Sequence, residues 1–426
     1  MNYPKKVEWS RLDNASKIFP ATCSYRDPKV FRLACELVED VEPKILQLAL
    51  NAAIKRFPLY KSVLRRGVFW YYFETSDIQP VVEKETNHVC APIYRKYERN
   101  LLFRVFYYKK RINIEVFHAL SDGTGALSFM KTLVYHYLLI KHKDEFACKV
   151  PELNYSASVS EKNDDSFIRH YPGWDFRKQM VYGIKREKVV KAYRIRGTRL
   201  EENRVKVIEG AMSAKAVLEE AHKYNTTLTI FLSALLISSI YQDMPARKKR
   251  YPVVLSVPIN LRQFFKSETA RNFFSTMSIE YHLGKNNLEL SEVIKSLSES
   301  FQRKLTEESL NQHLNWLIAL ERNPFARIIP LPLKNYSLRT ANIVMDMGVT
   351  AAISNVGKVS MPSEFEGYIN QFSVIPNVKR PQMTICTYGD RLVVTFASPF
   401  RETELQKTFF ESLTNMGIKI EISSNI

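Results

Sequence analysis

Two successive α+β units, each a mixed sheet with flanking helices, are the architecture this sequence predicts, and three observations predict it. The chain has 426 residues, and at about 100 to 200 residues per domain that length suits two domains with a sizeable core. Strand-type and helix-type patterns alternate in both halves, with tight antiparallel hairpins among them. Between the halves, residues 149–203 are polar, charged and poorly periodic.

Residues 42–54 put Ile45, Leu46, Leu48, Leu50 and Ala53 at helical spacing after Pro43, and Pro58 stops the pattern. Residues 67–73, 101–108 and 111–117 are rich in aromatic and β-branched side chains, as strands are, and Lys109-Lys110 reads as the turn joining the last two. From Gly125 onward, Ala126, Leu127, Met130, Leu133, Val134, Tyr137 and Leu138 recur at helical spacing, so a strand feeds a helix through residues 119–124. Asn163, Asp164, Asp165, Pro172 and Gly173 mark loops. The second unit then opens on a strand at 204–209, a helix capped by Ser213, an apolar helix from Thr227 and a strand at 251–258. Near the end, strands at 382–388 and 391–397 flank the turn pair Gly389-Asp390, and a last helix from Thr403 stops at Gly417, where a left-handed cap favours glycine. The expected division is an N-terminal domain at 1–165, a basic crossover at 166–203 and a C-terminal domain at 204–426.

An apolar fraction of 45% and a charged fraction of 25%, with no short repeat, fit a folded chain and argue against disorder or a solenoid. Cysteines 23, 35, 90, 148 and 386 are odd in number and scattered, which suits neither a zinc site nor a disulfide scaffold and fits a reducing cytoplasm. No apolar stretch follows the first ten residues, so no secretory signal is expected. The longest apolar run, 228–241, is broken by Thr229, Ser233, Ser238 and Ser239 and falls short of the roughly 20 residues that span a bilayer. A cytoplasmic monomer without a transmembrane segment is the expectation. The net charge of +18 favours an anionic partner, whether nucleic acid, anionic lipid or a phosphorylated small molecule. Between Arg177 and Lys206 stand 11 Lys or Arg against 3 Glu, a surplus that a solvated crossover would also explain. The histidines do not cluster with cysteines or carboxylates at zinc spacing, and no phosphate-binding Gly-x-x-x-x-Gly-Lys loop occurs, so no metal and no permanently bound cofactor is expected.

The segment that carries chemistry is Phe117-His118-Ala119-Leu120-Ser121-Asp122-Gly123, a polar turn between a strand and an amphipathic helix. Histidine, with an ordinary pKa near 6.5, suits general-base work at neutral pH when two rigid elements hold it. His118 is therefore the candidate base, with a purely structural histidine as the alternative.

This segment resembles the His-x-x-x-Asp-Gly signature of the chloramphenicol acetyltransferase-like superfamily, which includes alcohol acyltransferases, wax ester synthase-like enzymes and peptide-synthetase condensation domains. Val257-Pro258-Ile259-Asn260-Leu261-Arg262 with Asn272-Phe273 looks like its second-domain strand and loop, and Ser354-Asn355-Val356-Gly357 like the segment before its late strands. The resemblance runs from Asp13 to the final helix and is strongest to bacterial alcohol acetyltransferase-like proteins. It implies two similarly folded domains with an active-site tunnel at their interface, entered by an acyl thioester and an acceptor from opposite faces. It also implies that His118 takes the proton of an alcohol or amine acceptor as that group attacks the thioester, with no acyl-enzyme.

Carried over residue by residue, the resemblance pairs Asp122 with Arg262 in an architectural role and has Gly123 keep the wall beside the histidine free of a side chain. Ser354, Asn355 and Thr384 are candidates for oxyanion stabilisation or substrate positioning, Asn355 first. Acyl-CoA, such as acetyl-CoA, is the implied co-substrate, with Arg194, Arg196 and Arg199 as candidates for its phosphates. Two departures stand out. Condensation domains have a second histidine where this chain has Phe117, which shifts weight from a carrier-protein donor to free acyl-CoA. The late Asp-Phe-Gly-Trp-Gly motif of the plant acyltransferases is missing. The alternatives are a condensation-type transferase docking an acidic carrier protein, and a non-catalytic binder of an anionic partner. Nucleic acid is not expected, because no recognised binding module is present.

Overall fold

In the computed structural model, residues 8–153, 161–162, 164–169, 190–283, 288–376 and 378–425 are described. Most of the expected basic crossover, 170–189, lies outside them. Fifteen strands form three sheets among the described residues.

The first half builds a five-stranded sheet in the order β12-β2-β7-β6-β5. Its members are β2 (Val30–Leu37), β5 (Val82–Lys84), β6 (Phe103–Tyr108), β7 (Arg111–Phe117) and, from far along the chain, β12 (Ile369–Pro376). The hairpin expected between 101–108 and 111–117 is β6–β7, turning at Lys109, which adopts φ 48°. Two helices, α2 (Pro43–Ala53) and α3 (Gly123–Lys141), follow the short helix α1 (Ile18–Thr22) in sequence. α2 and α3 pack on one another, and α3 also packs on β2 and β7. Their buried faces carry most of the apolar residues that the helical spacing picked out, including Leu46, Leu50, Met130, Leu133 and Leu138, whereas Leu48 is turned to solvent, between Gln47 and the buried Ala49. A small separate sheet joins β1 (Trp9–Arg11), β4 (Tyr71–Thr75) and β3 (Ser62–Arg66). The strand expected at 67–73 is therefore interrupted: residues 67–70 make the turn of the β3–β4 hairpin, closed by the Gly67 N–H donating to the Trp70 carbonyl at 2.8 Å.

The second half builds a seven-stranded sheet, β10-β9-β11-β13-β14-β8-β15. Its strands are β8 (Lys206–Ser213), β9 (Val253–Asn260), β10 (Phe274–Tyr281), β11 (Ala351–Val359), β13 (Gln382–Tyr388), β14 (Arg391–Ser398) and β15 (Glu421–Ser424). Helices Ala214–Lys223, Leu228–Asp243, Leu290–Lys304 and Glu404–Asn415 pack over it and each other. Ser213 and Thr227 cap the first two through their hydroxyls, accepting from Ala216 N at 3.2 Å and Ile230 N at 3.4 Å. Gly417, at φ +88°, ends the last helix. Among the described residues no single helix is long and apolar enough to cross a membrane. Ala214–Lys223 and Leu228–Asp243 reach that length only as a pair bent by 80°, and the apolar residues of the second are buried in the core of this half.

The halves are stitched together by strand exchange. β12 belongs by sequence to the C-terminal region, yet it pairs antiparallel with β2 from Ile369↔Leu37 to Pro376↔Phe31. Phe372 and Val374 accordingly pack in the first core. The halves also meet where Arg111 donates to Glu36 and to Glu209, both at 2.8 Å.

Candidate active site

Residues 118–125 lie where the halves touch. His118 follows β7 directly, and its N–H donates to the Lys29 carbonyl at 2.7 Å. Its half-buried ring stacks on Phe19 of α1, centroids 4.4 Å apart and planes 13° from parallel. Phe31 of β2 and Phe274 of β10 complete an aromatic collar at 4.9 and 5.7 Å.

Asn272, from the loop preceding β10, sets the tautomer. Its Nδ2 donates to the His118 carbonyl at 3.0 Å and to Ser16 Oγ at 2.9 Å, which turns its Oδ1 toward His118 Nδ1, 3.3 Å away. An amide oxygen only accepts, so Nδ1 carries the ring hydrogen and Nε2 carries the lone pair. Burial pushes the His118 pKa below its ordinary value; Asp122 and the ring's hydrogen bonds with its own carbonyl and Asn272 oppose this, and Lys29 adds to it. Burial therefore favours the neutral imidazole, with the lone pair on Nε2.

Asp122 is the N-cap of α3 and is occupied on every side by structure. Oδ1 accepts from Gly125 N and Oδ2 from Phe273 N, each at 2.8 Å. Arg262 adds a bidentate pair at 2.9 and 3.2 Å. The other guanidinium N–H groups reach the carbonyls of Thr269 (3.0 and 2.9 Å) and Arg271 (2.6 Å) and Asn260 Oδ1 (3.1 Å). The loop 260–273 is thus wrapped round one guanidinium and clamped onto the turn that holds His118, with both side chains of the pair nearly buried. Ser121 Oγ adds a bond to the Ala270 carbonyl at 2.5 Å.

Gly123 and Gly125 differ sharply. A Cβ built on Gly123 meets nothing within 4 Å, and the residue begins α3 without a positive φ, so no special backbone angle requires glycine there. At Gly125 a Cβ would fall on the Ala270 carbonyl oxygen and Ser121 Oγ. The close approach of the two halves depends on the second glycine, which the motif does not mark.

The late-strand candidates are engaged elsewhere. Thr384 is buried in β13 and donates its hydroxyl hydrogen to the Val374 carbonyl of β12, which fastens one sheet to the other. That corrects its expected part as an oxyanion donor, because its one hydrogen is already committed. Asn355 is exposed, donates to Thr229 Oγ1 at 2.9 Å and accepts from Gly357 N at 2.8 Å, bracing the bulge of β11 where Gly357 takes φ +87°. Ser354 is half-buried opposite Thr384 in the β11–β13 ladder. The β9–β11 ladder registers only Ala351↔Leu255 and Ala352↔Ser256, whereas β9 and β10 stay paired through Asn260↔Phe274. β9 and β11 are therefore unpaired toward the end where Phe274 touches His118, between 257–260 and 354–357.

Arg194, Arg196 and Arg199 are exposed on an extended segment along the second half. Arg199 donates to the Lys379 carbonyl at 3.0 Å and lies over the Phe400 ring. Among the described residues no group of three or more His, Cys, Asp or Glu could hold a metal ion.

Neither a protein-family model nor a curated protein matches this sequence. Solved structures do. Trichothecene 15-O-acetyltransferase TRI3 from Fusarium sporotrichioides superposes with a TM-score of 0.65 at 11% identity, covering 98% of this chain and 96% of that one. TRI101 from F. graminearum, complexed with coenzyme A and T-2 mycotoxin, gives 0.64 at 10% over 97% and 99%. The first condensation domain of the CDA synthetase gives 0.63 at 12% over 97% of both chains. The chain has the two-domain α+β fold shared by these acetyltransferases and condensation domains, the chloramphenicol acetyltransferase-like fold.

Proposed function

We propose that this protein is an acyl-CoA-dependent acyltransferase that moves an acetyl or other acyl group from the thioester to an alcohol or amine, with His118 as general base. The observation that carries the reading is the Asn272 carbonyl oxygen on His118 Nδ1, which leaves Nε2 as the proton acceptor of a neutral imidazole. In the proposed reaction Nε2 takes the acceptor proton as its oxygen or nitrogen attacks the thioester carbonyl. The tetrahedral adduct then collapses, the C–S bond breaks, and the imidazolium returns the proton to the thiolate.

Asp122, Arg262 and Asn272 are positioning residues in this reading, because they touch the turn and the ring rather than the reacting atoms. The open space beside Gly123 leaves room for a substrate, and the unpaired stretch between β9 and β11, which includes Ser354, is the route we assign to the thioester arm. Arg194, Arg196 and Arg199 are proposed to meet the CoA phosphates, and 1–165 and 204–426 to be the two units around a cytoplasmic active site. Release of free thiol from acyl-CoAs of increasing length, with and without pooled alcohols and amines, tests the proposal. Acceptor-dependent release is expected with at least one acyl-CoA. No release above the uncatalysed rate from any acyl-CoA would refute a free-CoA donor.

A further inference from the structure

The helix α10 (Leu331–Met347), the tenth among the described residues, is turned inside out. Its inward residues include Leu331 and Asn335, both buried, and Leu338 and Asn342, both half-buried. On the opposite face lie Leu333, Tyr336, Ile343, Val344 and Met347, which at about 100° per residue fall within one sector of the helix, and all five are exposed, Tyr336 to 72%. The intervening outward positions Ser337 and Thr340 are uncharged.

The face continues beyond the helix. Leu331 N donates to the Val68 carbonyl at 2.9 Å, which docks the start of α10 on the β3–β4 turn, where Val68 (71% exposed) and Phe69 also face solvent. Ile328, just before the helix, is 68% exposed. Monomeric proteins seldom leave so many large apolar side chains together in water without a use.

Charge indicates what covers this face. Across the helix and the segment before it the chain carries Arg322, Arg327, Lys334 and Arg339 against one acid, Asp346, which is matched by Arg380 at 3.6 Å, and Arg66 and the Glu74-paired Arg65 immediately precede the exposed turn. Lys334 donates to the Phe69 and Arg327 carbonyls, both at 3.1 Å, which puts a cation between turn and helix. Beside Ile328, Arg11, Arg322 and Arg327 line a cavity of about 290 Å³ together with Glu321, whose carboxylate is matched by Lys17 and Asn14. An apolar helix face flanked by cations, beside a recess into which three arginines converge, is how a helix lies in the interface of an anionic bilayer.

We infer that α10 and the 67–70 turn form a membrane-docking face that seats on anionic phospholipid, with apolar side chains among the acyl chains and the surrounding cations on headgroup phosphates. A protein partner would be expected to match the rim with acids and is the less fitting occupant. This inference does not rest on the acyltransferase reading.

Co-sedimentation of the full chain with vesicles tests it. Vesicles of phosphatidylcholine containing about one phosphatidylglycerol in three should bind the protein at least about tenfold better than phosphatidylcholine alone, and less well as salt rises. The pairs Leu333→Ser with Ile343→Ser, and Val68→Ser with Phe69→Ser, should each weaken that binding about tenfold while leaving the unfolding transition unchanged, since these side chains are exposed. Arg11→Gln with Arg327→Gln should reduce the preference for the anionic vesicles. Wild-type protein that stays in the supernatant with anionic vesicles at low salt overturns the inference, whatever the variants do. So do serine variants that bind as wild type, and so does a wild-type dimer that the same substitutions dissolve without any vesicle binding, which would make the face a contact between copies.

Discussion

The turn at 118–125 and the stretch at 354–357 both carry residues that the sequence marks as candidates, and they differ in where their bonds go. In the turn, Asp122, Ser121 and the main chain of His118 reach across to 260–273 of the other half. In β11, Asn355 bonds within its own half, to Thr229 and Gly357, while Thr384 of neighbouring β13 is spent on joining the two sheets through the Val374 carbonyl of β12. The lesson is that a short motif is legible when its chemistry is built on one turn and anchored by a single distant partner. A group whose use depends on several neighbours carries no such mark.

The largest effect expected from that comparison is at the ring. His118→Ala should lower acyl transfer about 100-fold or more while the protein stays folded, the range for loss of a positioned base. Substitutions Asn355→Ala and Thr384→Val, assayed alongside, should cost far less in kcat. A larger loss at Asn355 than at His118 would reverse the assignment.

Next comes the clamp. Asp122→Asn and Arg262→Gln should each destabilise the fold by about 3 to 5 kcal/mol, because removing one partner leaves the other buried and unpaired. A double-mutant cycle on unfolding should show strong coupling, whereas an exposed pair is worth under about 1 kcal/mol. Coupling within error of zero would mean that the turn is held some other way.

A smaller effect separates the two glycines. Gly125→Ala should destabilise by about 1 to 3 kcal/mol, because its methyl meets backbone at Ala270, and Gly123→Ala should leave the unfolding midpoint nearly unchanged. If the Gly123 variant folds but loses activity, the open space beside it is used by substrate. Smallest is the surface: neutralising Arg194, Arg196 and Arg199 together should raise KM for acyl-CoA several-fold, roughly, with little change in kcat, since contacts remote from the thioester bind ground and transition states alike.

Most of the helix and hairpin pattern around the site was readable because it is local: Pro43 starts α2, Lys109-Lys110 turn the β6–β7 hairpin, and Gly417 stops the last helix. The 67–70 turn was not, because its aromatic residues favour a strand by type while Gly67 and Trp70 close the hairpin. β12 could not be assigned to the first sheet from sequence, since its partner β2 lies over 300 residues away. Asn272 stood in plain view next to Phe273, yet its role as the acceptor for His118 Nδ1 exists only when the halves are together. α10 hides its nature for a related reason, since apolar spacing that usually marks a buried stripe here marks the outward one.

The central claim is that His118 is a neutral base, and the pH dependence of kcat/KM for acyl transfer tests it most directly. Burial lowers its folded pKa, so the unfolded chain binds the extra proton first: the stability this group contributes is full above the ordinary value of about 6.5 and declines as pH falls through it toward the folded value. Catalysis should follow the folded group. The account predicts a rate that stays level as pH falls through 6.5 and then drops along a single-proton acid limb centred below it, while the protein remains folded. A limb centred above 6.5, or a rate that never falls with acid until the protein unfolds, would contradict it.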